Sequence, residues 1–168
     1  MTTGKLELEP CSLGDFGRLE YDFAKALLSD SGHPLLVIRL SGSGSNAAHE
    51  CGVFDLAPGI IMLGLEVWQP SALVLDLTNF KYEWGDMMRN VLSAGQRWYG
   101  TVHPFRAVFC AGLPERLPFA VLVSDLNREG LTSLVEDEMG GEVASTLYES
   151  FSDAASALDR QLLGVPLI

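Results

Sequence analysis

Two apolar runs decide the fold: LLVIRL at Leu35–Leu40 and ALVLDL at Ala72–Leu77. Each run is short and almost continuously aliphatic, which predicts a strand that is covered on both faces, as in a parallel sheet. Between them, the apolar stretch Ile60–Trp68 predicts a helix, with Pro58 tolerated in its first turn. A strand, a helix and a second strand in this order predict a βαβ unit.

The same alternation continues on both sides of this unit. Towards the C-terminus the pattern predicts helices over Asp86–Trp98, Leu131–Met139 and Ser150–Leu162, and strands over Arg106–Cys110, Phe119–Val123 and Thr146–Tyr148. Towards the N-terminus, Leu19–Leu28 fits either a helix or an irregular strand, and Lys5–Glu9 fits a short strand. We therefore predict one α/β domain over residues 1–168, with a core from 33 to 162 and an N-terminal extension over 1–32. The sheet is expected to be mixed or mostly parallel, with alternating helices.

Composition and charge restrict the classes of partner. The chain has 168 residues, of which 48% are hydrophobic and 20% charged, as in an ordinary globular protein. Its formal net charge of -11 disfavours nucleic acids and anionic membrane surfaces. Neither a signal peptide over Met1–Pro10 nor an apolar run long enough to span a bilayer is recognisable. Three cysteines, odd in number and widely spaced, favour the reducing cytoplasm.

No motif in the sequence completes a catalytic, cofactor or metal site. The glycines Gly42 and Gly44 begin a G-x-G-x-x-A pattern after a strand, but Gly52 and Pro58 are expected to break the helix that a phosphate site needs. His49–Cys51 lacks the further Cys and His residues of a zinc site. We expect no metal and no cofactor.

Two further positions complete the candidate ligand loop that begins with Gly42 and Gly44. Asp76 is predicted to end a buried strand, where α/β proteins bind ligands, and Gly112 lies in a later turn. Because Thr78 and Asn79 follow Asp76, we expect its carboxylate to accept hydrogen bonds from the backbone of a turn, which is a structural role.

The aromatic residues Phe80, Tyr82 and Trp84 alternate with charged residues. At this spacing they would share one side of an extended segment. They would pack in the core or form an exposed anchor for a protein partner, and the sequence leaves both readings open.

The stretch from Leu35 to Leu162 resembles the STAS domain of anti-sigma-factor antagonists. The similarity lies in a strand that leads into Leu40–Gly42, in ALVLDLT at Ala72–Thr78, and in LYES at Leu147–Ser150 followed by an Ala- and Leu-rich helix. The resemblance implies a non-catalytic regulatory module that binds a protein partner, and a homo-oligomer is compatible with it.

The resemblance also implies where the partner binds. The contact surface would be the start of the helix after the second apolar strand, formed here by six consecutive residues: Tyr82, Glu83, Trp84, Gly85, Asp86 and Met87. In switching members of the family, a serine in an Asp-Ser-Ser-Gly segment is phosphorylated at this place. That segment falls on WGDM here, which has no hydroxyl group, and Asp86 would supply a permanent negative charge.

A second resemblance is to the crotonase and Clp-protease superfamily, in a truncated form. His103–Asp125 has a similar order of proline, strand, turn and apolar segment. Members of that superfamily bind an oxyanion with backbone amides in a glycine-rich turn. The corresponding turn here, Gly112–Leu117, contains Pro114, which has no amide hydrogen. This resemblance implies an inactive or divergent protein that handles acyl-CoA or ester compounds.

Overall fold

Strands and helices alternate along the chain in a computed structural model that describes residues 19–44, 51–82, 87–96, 114–138, 147–165 and 167. The elements of this part are β1 (Leu19–Leu27), β2 (Pro34–Gly44), α1 (Cys51–Trp68), β3 (Ala72–Tyr82), α2 (Met87–Gly95), β4 (Phe119–Leu122), α3 (Asp125–Glu138), β5 (Leu147–Tyr148) and α4 (Phe151–Leu162). The predicted strands over Lys5–Glu9 and Arg106–Cys110 lie outside the described residues.

The strands form one mixed sheet whose spatial order, β1-β2-β3-β4-β5, is also their order in the chain. β1 pairs antiparallel with β2, whereas the pairs β2–β3, β3–β4 and β4–β5 are parallel. Helices connect the parallel strands, as parallel pairing requires. The architecture is therefore a single α/β domain with a mixed sheet and alternating helices, as the sequence predicts.

The two faces of the sheet carry two separate hydrophobic cores, which explains the continuous apolar runs. On the first face, Leu36, Ile38 and Leu40 of β2 belong to the larger core, together with residues of α1 and α2. On the second face, Leu35 and Val37 belong to a smaller core that α4 covers. Successive side chains of a strand point to opposite faces. LLVIRL therefore contributes to both cores at once.

α1 begins at Cys51 and contains Pro58 in its interior, so the expectation of a break before Ile60 is wrong. A proline inside a helix loses one hydrogen bond and clashes with the preceding turn. Here the helix carries Phe54 into the core before the proline and Ile61 after it, with exposures of 2% and 0%. Burial of side chains on both sides of the proline offsets its local cost.

β1 settles the ambiguity of Leu19–Leu28 in favour of a strand. Leu19 and Phe23 pack against the larger core, whereas Glu20 and Asp22 are exposed. Within the described residues, which exclude 1–18, the sheet already includes Leu19, ahead of the expected core boundary at residue 33. The alternation of apolar and charged residues is that of an edge strand with one buried face.

The remaining elements follow the prediction with shifted ends. α3 begins at Asp125, earlier than the expected start at Leu131, so Asp125 lies in the first turn of a helix and favours its N-terminus electrostatically. Ser150 is the N-cap of α4, and its hydroxyl oxygen accepts a hydrogen bond from the Asp153 N–H at 3.1 Å.

Candidate functional site

Asp76 lies inside β3 and not at its end, which corrects the prediction of a turn at Thr78 and Asn79. β3 continues to Tyr82, because Phe80 returns to the core, where it is 3% exposed. The pairing between β2 and β3 shifts at this point: Arg39 lies opposite Asp76, but Ser41 lies opposite Asn79. One extra residue is therefore present on β3, as in a β-bulge.

The carboxylate of Asp76 stabilises this bulge. Its Oδ1 accepts hydrogen bonds from the backbone N–H of Thr78 at 3.0 Å and from the Thr78 hydroxyl at 2.6 Å. Its Oδ2 lies 3.8 Å from Nε of Arg39. The side chain that the sequence places among possible ligand residues is thus engaged with its own strand, by the Asx-type hydrogen bond that such residues favour.

A small polar hollow lies beside Asp76 on the second face of the sheet. It has a volume of about 220 Å³ and is lined by Glu20, Tyr21, Asp22, Arg39, Leu40, Ser41, Asp76 and Asn79. Nη1 of Arg39 lies 2.9 Å from Oδ2 of Asp22, with both side chains more than half exposed. Such an exposed ion pair contributes little to stability. The sequence reasoning missed this cluster, although Arg39 is the one charge in LLVIRL.

The two glycines of the predicted ligand loop belong to β2 and not to a loop. Gly42 pairs with Phe80, and Gly44 pairs with Tyr82. Gly42 has a φ of 131°, a backbone conformation that residues other than glycine rarely adopt. Residues 45–50, which hold the rest of the pattern, lie outside the described part, as does Gly112. The structure brings Gly42 and Asp76 onto neighbouring strands.

The predicted partner-binding segment joins two described elements. Tyr82 is the last residue of β3, and Met87 is the first residue of α2. Glu83, Trp84, Gly85 and Asp86 lie outside the described residues.

Core contacts fix both ends of this segment. Before it, the Phe80 ring packs edge-on against the Phe54 ring, with 6.2 Å between centroids. The amide of Asn127 in α3 also donates a hydrogen bond to the carbonyl oxygen of Phe80. After it, Met88 and Leu92 of α2 have no exposed surface. The core reading of the aromatic pattern is thus confirmed for Phe80.

His33 is completely buried immediately before β2, and the only local sign of its position is the proline that follows it. Its Nε2 donates to the carbonyl oxygen of Val165 at 3.0 Å, because a carbonyl can only accept. Its Nδ1 lies 3.1 Å from Oγ of Ser71, which is also fully buried. The imidazole therefore links the entrances of β2 and β3 to the chain after α4. Since its second nitrogen meets a backbone carbonyl, this pair lacks the orienting carboxylate of a hydrolase triad.

Asp159 of α4 closes the turn that precedes His33. It is only 5% exposed and accepts hydrogen bonds from the backbone N–H groups of Asp30 and Ser31, each at 2.8 Å. Burial alone would raise the pKa of Asp159, but hydrogen bonds from the Ser31 hydroxyl and the two N–H groups favour the charged form. With a smaller contribution from His33, they hold its pKa below the ordinary range.

A larger groove, called here the β1–α4 groove, lies between the end of β1 and α4. Its volume is about 500 Å³, and its lining is Ala26, Leu27, Leu28, Ser29, Asp30, Leu35, Phe151, Ser152, Ala155, Ser156, Asp159 and Arg160. The most buried carboxylate in this lining, Asp159, is already engaged by the turn. Within the described part of the chain, no group of three or more His, Cys, Asp or Glu side chains is placed to hold a metal ion. No helix there has the length and apolar character needed to cross a membrane.

Comparisons with known proteins give a likeness to a solved structure. No protein-family model matches the chain, and no curated protein matches it at a significant level. Among solved structures, it is similar to the crystal structure of an anti-sigma factor antagonist from Mycobacterium paratuberculosis. The two chains are 14% identical, the likeness covers 83% of this chain and 94% of that chain, and the TM-score is 0.45. That protein bears the name of the family that the sequence resembles.

Proposed function

We propose that this chain is a non-catalytic regulatory module of the STAS type, which binds a protein partner through the segment from Tyr82 to Met87. One observation carries the proposal: the segment connects the end of a central strand, β3, directly to a helix whose inner face is fixed in the core. In the family that the sequence resembles, the start of this same helix meets the partner.

The composition of the segment suits such a contact. Tyr82 and Trp84 are of the residue types that contribute most binding energy at interfaces, and Glu83 and Asp86 add two negative charges. Charges at the rim of an interface steer association and select the partner. A chain of net charge -11 favours a partner with a basic surface.

The segment contains no serine, threonine or tyrosine between Glu83 and Met87. We infer that binding is not gated by phosphorylation at this place. Asp86 immediately precedes α2, where a fixed negative charge favours the helix N-terminus. Asp86 would then supply a negative charge at this position permanently, without a phosphate group.

The described polar groups favour an interaction module over an enzyme. Asp76 is engaged by Thr78, and Asn127 by the backbone of Phe80, so both contribute to the sheet. We propose a role in the cytoplasm, consistent with the odd number of cysteines, and no role in nucleic-acid binding, consistent with the net charge of -11.

Site-specific photo-crosslinking in the source organism tests this proposal. A benzophenone amino acid replaces Trp84 in one variant and Leu63 in a control, because Leu63 is 54% exposed on α1. We expect a discrete protein adduct at position 84 that the change Asp86→Arg removes, and no such adduct at position 63. Identical adducts at both positions, or none at position 84, would overturn the proposal.

A second arm tests the acyl-CoA alternative. A ligand that binds the folded state stabilises it by about 2.7 kcal/mol at one hundred times its Kd. If a panel of CoA thioesters raises the melting temperature of the full chain, the alternative is favoured and the interaction module is contradicted.

A further inference from the structure

β1 lies at an open edge of the sheet. Within the described residues its one neighbour is β2, so the backbone groups on its outer side have no strand beside them there. β1 is nine residues long and contains neither proline nor glycine to interrupt pairing. Such an edge pairs readily with a further strand, and proteins commonly cover it.

The face of β1 that looks towards α1 carries apolar side chains. Phe23 identifies this face, because its ring centroid lies 4.7 Å from that of Trp68 at the end of α1. Tyr21 packs edge-on against Phe23, with 5.8 Å between ring centroids. Side chains alternate along a strand, so Leu27 shares this face. Tyr21 and Leu27 are 46% and 72% exposed, so the described residues leave this apolar surface open.

The side of α1 next to β1 is apolar as well. A methyl group at Gly64 would lie 2.9 Å from the ring of Phe23, whereas Phe54 contacts β3. At about 100° per residue, rotation about the helix from Phe54 past Gly64 reaches Val67 and then Leu63. These two side chains, called here the α1 flank, are 58% and 54% exposed. The α1 flank and the open edge of β1 thus border the same surface.

The chain that precedes β1 has the pattern of a strand with one apolar face. Lys5–Glu9 reads KLELE, in which Leu6 and Leu8 alternate with charged residues. The connection from this segment to β1 contains Gly14 and Gly17, which are residues that favour turns. A connection of this kind allows the segment to return antiparallel along β1.

One antiparallel register matches the two apolar patterns. When Leu8 lies opposite Phe23, Leu6 lies opposite Lys25, and side chains that are directly opposite share a face. Both leucines then face α1 at the level of Gly64, next to the α1 flank. Burial of leucine against exposed apolar side chains stabilises such a pairing.

The charges are compatible with this register. Glu7 would lie opposite Ala24, where it meets no carboxylate. Glu9 would lie opposite Asp22, but Nη1 of Arg39 lies 2.9 Å from Oδ2 of Asp22 and offsets its charge. Salt also screens the repulsion that remains between exposed carboxylates.

We propose that Lys5–Glu9 is an additional antiparallel strand on the outer edge of β1, with Leu6 and Leu8 packed between Phe23 and the α1 flank. This strand closes the edge against pairing with other chains. A segment of the same chain is favoured over a second copy, because copies with a net charge of -11 repel each other and the attached segment is present at an effective concentration of roughly millimolar order. The proposal does not rest on the partner contact at the segment from Tyr82 to Met87.

Nuclear magnetic resonance of the full, isotopically labelled chain tests the proposal. We expect nuclear Overhauser contacts between the methyl groups of Leu8 and those of Val67. We also expect the amide protons on the outer edge of β1 to exchange at least about tenfold more slowly than in the double variant Leu6→Asp/Leu8→Asp. The matched control is Leu13→Asp, which alters an apolar residue in the connection and should leave this exchange unchanged.

Slow exchange of the amide protons of β4, a strand with a neighbour on each side, shows whether a variant is folded. If the double variant unfolds, the contacts and the exchange in the unaltered chain decide alone. Absence of these contacts, fast exchange at the outer edge of the unaltered chain, or equal effects of Leu13→Asp and the double variant would overturn the proposal. Contacts that arise between labelled and unlabelled chains in a mixed sample would also overturn it, because the added strand would then come from a second copy.

Discussion

Replacing Asp159 by alanine removes the acceptor that closes the turn between β1 and β2. The carboxylate accepts two backbone hydrogen bonds at 2.8 Å, from Asp30 and Ser31, and it is 5% exposed. A hydrogen bond to a charged group contributes about 1.5–3 kcal/mol, and a buried donor without an acceptor costs about 1–3 kcal/mol. Because the two donors are only partly buried, we expect a total loss of about 2–3 kcal/mol in the free energy of unfolding.

The loss should depend on pH with a definite sign. The folded-state pKa of Asp159 is lowered, so its charged form is favoured by folding. Its contribution is therefore complete above the pKa of the unfolded chain, about 3.9, and is lost as the pH falls through the lower folded-state pKa. We expect the difference between the two proteins to be full at about pH 7 and to shrink in acid, below about pH 4.

Urea unfolding at both pH values, supported by thermal melts, measures this difference. A loss of about 2–3 kcal/mol corresponds to a fall of roughly 5–10 °C in melting temperature for a domain of this size. Asp30→Ala is the matched control, because it removes an exposed carboxylate from the same turn but leaves the backbone N–H in place. It should cost less than about 0.5 kcal/mol. Equal effects of the two changes, or a difference that persists unchanged in acid, would refute the reasoning.

Three other predictions concern the sheet, α1 and metal content. Asp76→Ala should lower the free energy of unfolding by about 1–2 kcal/mol, because the bulge at Thr78 loses its acceptor; an unchanged urea midpoint would contradict this. Gly64→Ala should destabilise the folded protein by about 1–3 kcal/mol, because the added methyl carbon would lie 2.9 Å from the ring of Phe23. Gly59→Ala should stabilise it by about 0.5–1 kcal/mol, because the methyl carbon there would meet no atom within 4 Å and alanine favours a helix. Thermal melts in which both glycine variants change the melting temperature in the same direction would argue against the close packing of α1. Elemental analysis of the purified protein should find no stoichiometric zinc or iron, and a molar equivalent of either would disprove it.

The central strands could be predicted from sequence because their signal is local. LLVIRL and ALVLDL are aliphatic at every position that faces either core, so no competing periodicity exists. β1 could not be decided, because an edge strand with one buried face mixes apolar and charged residues within nine positions. The end of β3 was misplaced because Asp76 and Asn79 resemble a turn, whereas the later Phe80 returns the strand to the core.

The contacts around His33 were not predictable, since they join distant parts of the chain. Asp30 and Asp159 are 129 residues apart, and His33 and Val165 are 132 residues apart. No local sequence pattern predicts which carboxylate accepts hydrogen bonds from which turn. The same holds for the β1–α4 groove, whose shape depends on where α4 lies over the sheet.

The central claim, a partner contact at the segment from Tyr82 to Met87, is tested most directly by the thermal melt of Trp84→Ala, read beside capture of the partner in a pull-down with the same variant and with the unaltered chain. An interface tryptophan that is exposed in the free chain should cost well under about 1 kcal/mol on replacement, so the melting temperature should change by no more than about 2–4 °C while capture is lost. A tryptophan in the core should cost about 3–5 kcal/mol. Collapse of the melt, or full capture by a variant that folds normally, would contradict the claim.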